Sequence, residues 1–296
     1  IYLMGNNSVF SNSSYYTLKL TKKTSTSTTI KYNIGGYLTS LLQTADFDEA
    51  DTIPDYAFYY LFYNQKVVSA QNLITDNIKN IGRQAFTQCF QNCTSLTTLP
   101  NSLFANITSV GDASFGQCFY GCTSLTTLPD GMFGSLTSTG NETFSYCFYG
   151  CTSLKTLPEG MFGSITGIGS NSFQYCFYGC TSLTTLPEGM FGSLTNITQE
   201  AFSQCFSGCT SIQALPEGMF GSVTSGIFNT FNSCFYGCTS LTTLPESMFS
   251  SLTSVSSNTF KSCFQNCTSL LVGPNFKNIT GSTSHDAFDN CFNGCS

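Results

Sequence analysis

A fixed period decides what this 296-residue chain can become. Seven cysteines, Cys89, Cys118, Cys147, Cys176, Cys205, Cys234 and Cys263, follow one another at intervals of 29 residues, and Cys291 follows after 28. The stretch from Cys176 to Thr195, CFYGCTSLTTLPEGMFGSLT, shows the unit most clearly. A unit of this length cannot bury its own apolar residues, so successive copies must stack and share one continuous core. The period therefore predicts a solenoid, one elongated body with a cap, where length alone suggests two globular domains.

Material for that core is ample. Hydrophobic residues make up 41% of the chain, charged residues only 9%, and phenylalanine alone supplies 28 positions; a disordered segment has the opposite balance. Residues 85–296 carry three Lys/Arg against ten Asp/Glu, a net charge of −7. Nucleic acid and anionic membrane surfaces both demand a basic stripe, so neither is an expected partner. No apolar run approaches the ~18 residues of a membrane helix, which argues against membrane insertion. The opening at Ile1, without a charged leader, reads as a piece of a longer protein.

Residues 1–52 lack cysteine. Tyr16, Leu18 and Leu20 alternate with polar residues, as do Ile30, Tyr32 and Ile34, and the polar KKTSTST run between them predicts a β-hairpin. A short helix is expected over 36–44, followed by the acidic run from Asp46 to Asp51. We assign this segment as an N-terminal cap and residues 53–296 as the repeat body. Its first copy is degenerate: Ile53–Val68 aligns with Ile81–Leu96 at a spacing of 28, with Leu61 and Gln65 where later copies have cysteines.

Four apolar columns recur in the complete copies. Leu125 and Leu128 suit a short strand closed by Pro129. Met132, Phe133 and Leu136 make the second column. The third runs from Phe86 to Phe288, and the fourth is the Phe that follows each first cysteine, Phe90 to Phe292. Phe144, Cys147, Phe148 and Cys151 fit the i, i+3, i+4, i+7 pattern of a short helix, with Gly150 placed to end it.

The run SFQYCFYGCTSLTTLPEGMFGSLTNI, residues 172–197, resembles the leucine-rich repeats of the BspA-like surface proteins, whose usual unit is similar to AFxGCxSLTxIxIPxxVxxIG. The matching positions are Phe177, Gly179, Cys180, Ser182, Leu183, Leu186 and Pro187, and they recur over roughly residues 53–296. This chain departs from the pattern in its longer unit and in Cys176 where the family generally has Ala. The columns predict a right-handed coil of short parallel strands and short helices, the resemblance makes it an α/β leucine-rich-repeat solenoid, and the alternation in residues 1–52 adds an N-terminal β-hairpin cap. The resemblance also implies a cell-surface or secreted protein engaged in adhesion to host, matrix or neighbouring cells.

Eight C-x3-C pairs carry all sixteen cysteines: Cys89–Cys93, Cys118–Cys122, Cys147–Cys151, Cys176–Cys180, Cys205–Cys209, Cys234–Cys238, Cys263–Cys267 and Cys291–Cys295. The degenerate copy lacks both members together, which suits disulfides within repeats; two columns of small buried thiols fit the sequence equally well. Structural zinc needs four ligands around one point, and the pairs do not supply them. The one histidine, His285, cannot recur along the array as a catalytic base, no phosphate-binding glycine loop follows a strand, and neither catalytic residues nor a cofactor is expected. After the strand-ending prolines from Pro129 to Pro245 stand acids, Asp130, Glu159, Glu188, Glu217 and Glu246, with Asn101 at the position before them, suited to the first turn of a helix or to a cation-binding edge.

Two polar columns remain as binding candidates. Tyr120, Tyr149, Tyr178 and Tyr236 occupy one position of the unit, and Tyr146 and Tyr175 stand three residues before two of them. With Phe and Cys turned inward, these rings should face outward as an aromatic patch, either a recognition surface or a shield over the layer beneath. Along the strand, Ser95 and its equivalents lie beside Thr97, Thr126, Lys155, Thr184, Gln213 and Thr242, a hydroxyl surface for protein, glycan or ordered water. The expected function is non-enzymatic binding of a protein or glycan ligand, with self-assembly into a filament or surface coat as the alternative.

Overall fold

In a stack of 29-residue units, main-chain groups that find no partner within a unit can be satisfied by the counterpart residues one copy on. The computed structural model, which describes residues 31–38, 51–281, 283–284 and 286–296, shows this pairing throughout. Its strands are β1 (Tyr32–Tyr37), β2 (Thr52–Ile53), β3 (Val67–Ile74), β4 (Asn80–Ile81), β5 (Ser109–Val110), β6 (Ser225–Gly226) and β7 (Ser254–Val255). All pairs are parallel: β1 with β3, β2 with β4, β4 with β5, and β6 with β7. Isolated bridges at the same spacing, such as Thr156 with Thr185 and Gly167 with Asn196, continue the ladders through the coils between. Apart from β1 and β3, of six and eight residues, each strand is only two residues long before a turn redirects the chain.

Among the described residues there is no α-helix, and the helices expected at Phe144–Cys151 and its equivalents are absent. The segment is a ribbon of consecutive turns. Every fourth residue has a left-handed backbone, as at Glu142, Tyr146 and Gly150 with φ of 55°, 55° and 67°. Alternate N–H groups close turns on the residue three back, as Cys147 does on Phe144 at 3.0 Å and Cys151 on Phe148 at 3.1 Å. The N–H groups between them reach the next coil, Tyr146 to Gln174 at 2.9 Å and Phe148 to Cys176 at 2.8 Å. A helix would keep its hydrogen bonds to itself; the ribbon gives half of them to its neighbour. The sequence pattern misleads because i, i+3, i+4, i+7 also describes a four-residue period, in which Phe144 and Phe148 share one inward position and Cys147 and Cys151 the other.

Inside the ribbon, aromatic columns fill the core. Phe86, Phe115, Phe144, Phe173, Phe202, Phe231, Phe260 and Phe288 stack with ring centroids 5.3 to 5.6 Å apart. A second column runs from Phe90 to Phe264 and on to Phe292 at 5.3 to 5.5 Å. A third, Phe104 to Phe249 and Phe276, packs edge-on against the first. Such rings contribute about 0.5–1.5 kcal/mol per pair beyond the area they bury.

The acids after the prolines also lack a helix to begin. Met132 N–H returns to the Pro129 carbonyl at 3.3 Å, and Gly131 between them has φ of 69°. Asp130 therefore sits second in a tight turn whose third residue must be left-handed, the place where glycine carries no steric cost. At the N-terminal edge, the strand containing Tyr32 and Ile34 is present and pairs in parallel with β3. Gly36 and Tyr37 extend that strand where a helix was expected to begin. Tyr16, Leu18, Leu20 and Ile30 of the expected hairpin, Asp46, Asp48 and Glu49 of the acidic run, and His285 lie outside the described residues.

Candidate binding surface

The turn ribbon turns two of every four residues outward, and five of the six singled-out tyrosines meet there. Tyr120, Tyr149 and Tyr178 stack at 4.6 and 4.7 Å with planes within 4° of parallel. Tyr146 and Tyr175 form a second column at 4.5 Å. The columns touch through Tyr146–Tyr149 and Tyr175–Tyr178, each at 5.8 Å. Within each column these rings are closer than those of the stacked phenylalanine columns, and they are half-buried, so the patch is a packed ladder with exposed edges. Gln204 Nε2 donates to the Tyr175 hydroxyl and closes its C-terminal side. Burial and neighbouring phenols raise Tyr146 and Tyr149 above the ordinary 10.0.

Tyr236 stands apart from this ladder. Ser207 occupies the position between it and Tyr178, and the Tyr236 hydroxyl accepts a hydrogen bond from Asn266 Nδ2 at 2.9 Å. Sequence reasoning missed a second aromatic cluster in the degenerate coil: Tyr59 meets Tyr60 at 4.4 Å, Tyr60 meets Tyr63 at 5.0 Å, and Tyr56 lies 6.4 Å from Tyr59. The 28-residue alignment carried the signal, since it puts Tyr60 in the column of Tyr146 and Tyr63 in that of Tyr149.

The strand threonines do other work. Thr97, Thr184 and Thr242 hydroxyls donate to the Val68, Lys155 and Gln213 carbonyls of the preceding coil at 3.0 to 3.3 Å. A second threonine column that sequence reasoning did not single out, including Thr166, Thr195 and Thr253, does the same at 3.0 to 3.3 Å. Ser124 likewise bonds the Thr94 carbonyl at 2.7 Å. With their hydrogens committed to the neighbouring coil, these hydroxyls chiefly hold the stack together.

The structure holds all sixteen cysteines as free thiols, the second of the two arrangements the sequence left open, with none of the eight candidate pairs bonded. The second thiol of each pair donates to a phenylalanine carbonyl one coil back: Cys122 to Phe90, Cys151 to Phe119 and Cys180 to Phe148, each at 3.2 Å. Desolvation pushes Cys151 and Cys209 from the ordinary 9.0 up to about 12, and Cys147 and Cys176 are raised well above it. A thiol so reluctant to ionise is a poor nucleophile. Among the described residues no group of histidine, cysteine and acidic side chains is arranged to hold a metal ion.

Stacked coils, parallel ladders and aligned leucine columns define a leucine-rich-repeat protein. The chain belongs to the BspA type leucine rich repeat region family, which matches residues 6–207 and 145–295 in six copies. Among solved structures it is similar to the T. pallidum leucine rich repeat protein, at 21% identity over 72% of this chain and 70% of that one, with a TM-score of 0.34. A leucine rich cell surface protein of Faecalibacterium prausnitzii matches at 21% identity over 82% and 77%, TM-score 0.26. A leucine-rich repeat protein of Bacteroides ovatus matches at 20% over 82% and 80%, TM-score 0.22. No curated relative matches the sequence.

Proposed function

We propose that this chain is a cell-surface or secreted binding protein without catalytic activity, built as a solenoid and used in adhesion through the tyrosine ladder of its turn ribbon. The observation that carries this reading is the ladder itself: five stacked, half-exposed rings on coils whose neighbours hold the same backbone with Gln and Ser. Tyrosine offers a binding partner a large rigid face with a polar tip at low entropic cost. The net charge of −7 over residues 85–296 favours protein or glycan partners over polyanions. A surface location is in keeping with the family and with the cell-surface description of the Faecalibacterium relative. Screening the purified chain against immobilised matrix proteins and a glycan panel tests the reading. Saturable binding to a component of either set is expected, and turnover of a component without retention would overturn it.

A further inference from the structure

Between the two tyrosine clusters the ribbon dips. Tyr59 and Tyr60 form one wall, Tyr146 the other, and the floor is made of the short side chains of Thr87 and Ala113 and of Gly116, which has none. The trough holds about 440 Å³, within the ~300–1,000 Å³ of ligand sites. It crosses three coil intervals, roughly 14 Å at the ~4.8 Å spacing of paired parallel chains.

Its chemistry is predominantly that of neutral amides and is bifunctional. Gln84, Gln88, Gln117 and Gln174 line it, and Glu142 is the one acidic residue among the lining groups. Gln88 Nε2 donates to Gln117 Oε1 at 3.0 Å, which fixes the two amides side by side across adjacent coils. Each amide has two donor hydrogens and an oxygen with two lone pairs, so this pair keeps capacity for further hydrogen bonds. In the neighbouring outward column, between Tyr63 and Tyr120, Gln91 holds a buried Oε1 with no hydrogen-bond partner. The floor's main chain is already engaged: Gln84 N–H bonds Asp112, Gln88 N–H bonds Gly116, and Gln117 N–H bonds Ser145, at 2.8 to 2.9 Å. An extended peptide, which docks chiefly through main-chain pairing, finds no open ladder here. With no cation in the lining and Glu142 among its residues, the trough offers an anionic ligand no charge partner.

We infer that the trough binds a neutral oligosaccharide, its pyranose faces packed on Tyr60 and Tyr146 and its hydroxyls bridged by the glutamine amides. The inference rests on the reading of this ribbon as a binding face and names its ligand class. Sugar rings present an apolar face of C–H groups to aromatic rings and vicinal hydroxyls that both donate and accept, which suits paired amides better than it suits aliphatic or ionic partners.

Gly116 supplies the test. A Cβ there meets nothing nearer than 3.4 Å, and the same column carries Gln174 and Lys261, so Gly116→Gln fills the trough on a backbone that accepts the side chain. Tyr146→Gln removes one wall, with Gln88, Gln117 and Gln204 as precedents in its column. The full chain is titrated calorimetrically with cellohexaose, xylohexaose, mannohexaose and chitohexaose, and with a heparin hexasaccharide as charged control. At least one neutral hexasaccharide is expected to bind, with affinity falling about tenfold or more in each variant while the thermal midpoint of Gly116→Gln stays close to that of the parent. Failure of every neutral sugar, binding of heparin alone, or neutral-sugar binding indifferent to both variants would overturn the inference. A ligand lost on Tyr149→Ser/Tyr178→Ser but retained on Gly116→Gln would remove the trough and leave the ladder reading standing.

Discussion

The ribbon of the coils at Cys147 and Cys176 and that of the coils at Cys205 and Cys263 have the same backbone and different surfaces. Tyr146, Tyr175, Gln204 and Ser262 all take the left-handed conformation, with φ between 53° and 55°. The bonds to the next coil are alike, 2.8 Å from both Phe148 and Phe206 and 2.9 Å from Phe264. A bulky aromatic in this conformation is less comfortable than Gln or Ser, so the backbone gives no reason for tyrosine there. The difference separates two tasks: the inward Phe and Cys positions hold the coil, and the outward positions are open to selection for what the surface meets.

If that division is right, damage should scale with the side of the ribbon touched. Phe173→Ala gives the largest effect. Phe173 is fully buried, stacked on Phe144 and Phe202 at 5.3 and 5.4 Å and edge-on to Phe162 and Phe191 at 4.9 and 5.0 Å. Its truncation should cost ~3–5 kcal/mol in urea unfolding. Amide exchange should quicken first in the coils at Cys147, Cys176 and Cys205, since each coil depends mainly on its neighbours.

The thiols come next. Below about pH 9 they are neutral in both states and their contribution to stability is intact. As pH rises the unfolded chain ionises first, and stability falls through the window from 9.0 to about 12 set by Cys151 and Cys209. The urea midpoint should therefore decline through that window. In the same protein, alkylation without reductant should be slow when native and reach all sixteen thiols in denaturant; fewer would favour disulfides within repeats. The smallest effect belongs to Ser207→Tyr, which bridges Tyr178 and Tyr236. It should shift stability by about 0.5–1.5 kcal/mol or less and lengthen the continuous ladder, a change readable in a crystal structure.

Much of this organisation is written in the period. Stacking, the phenylalanine columns, the shared position of Tyr120, Tyr149 and Tyr178, and the 28-residue register of Ile53 on Ile81 all follow from residues one copy apart being neighbours. Conformation within the unit is less legible. Over eight residues a 3.6-residue and a four-residue period place Phe144, Cys147, Phe148 and Cys151 alike, and only the left-handed residues at Glu142 and Tyr146, types not suited to announcing such a backbone, distinguish ribbon from helix. The tyrosines at 56, 59, 60 and 63 escaped notice because their coil lacks the cysteines that mark the others. The trough was hidden for a related reason: what defines it is the small size of Ala113 and Gly116, visible only once the walls are in place.

The double variant Tyr149→Ser/Tyr178→Ser, measured for both binding and stability, tests the division of labour most directly. Loss of the half-exposed ring contacts at 4.6, 4.7 and 5.8 Å should lower stability by less than the ~3–5 kcal/mol of Phe173→Ala, with the amide-exchange pattern of the coils unchanged. Binding to the component retained in the screen should weaken by more than ~2 kcal/mol, the scale of an interface hot spot. Undiminished binding together with a stability loss as large as that of Phe173→Ala would show that the rings are part of the core and would contradict the account.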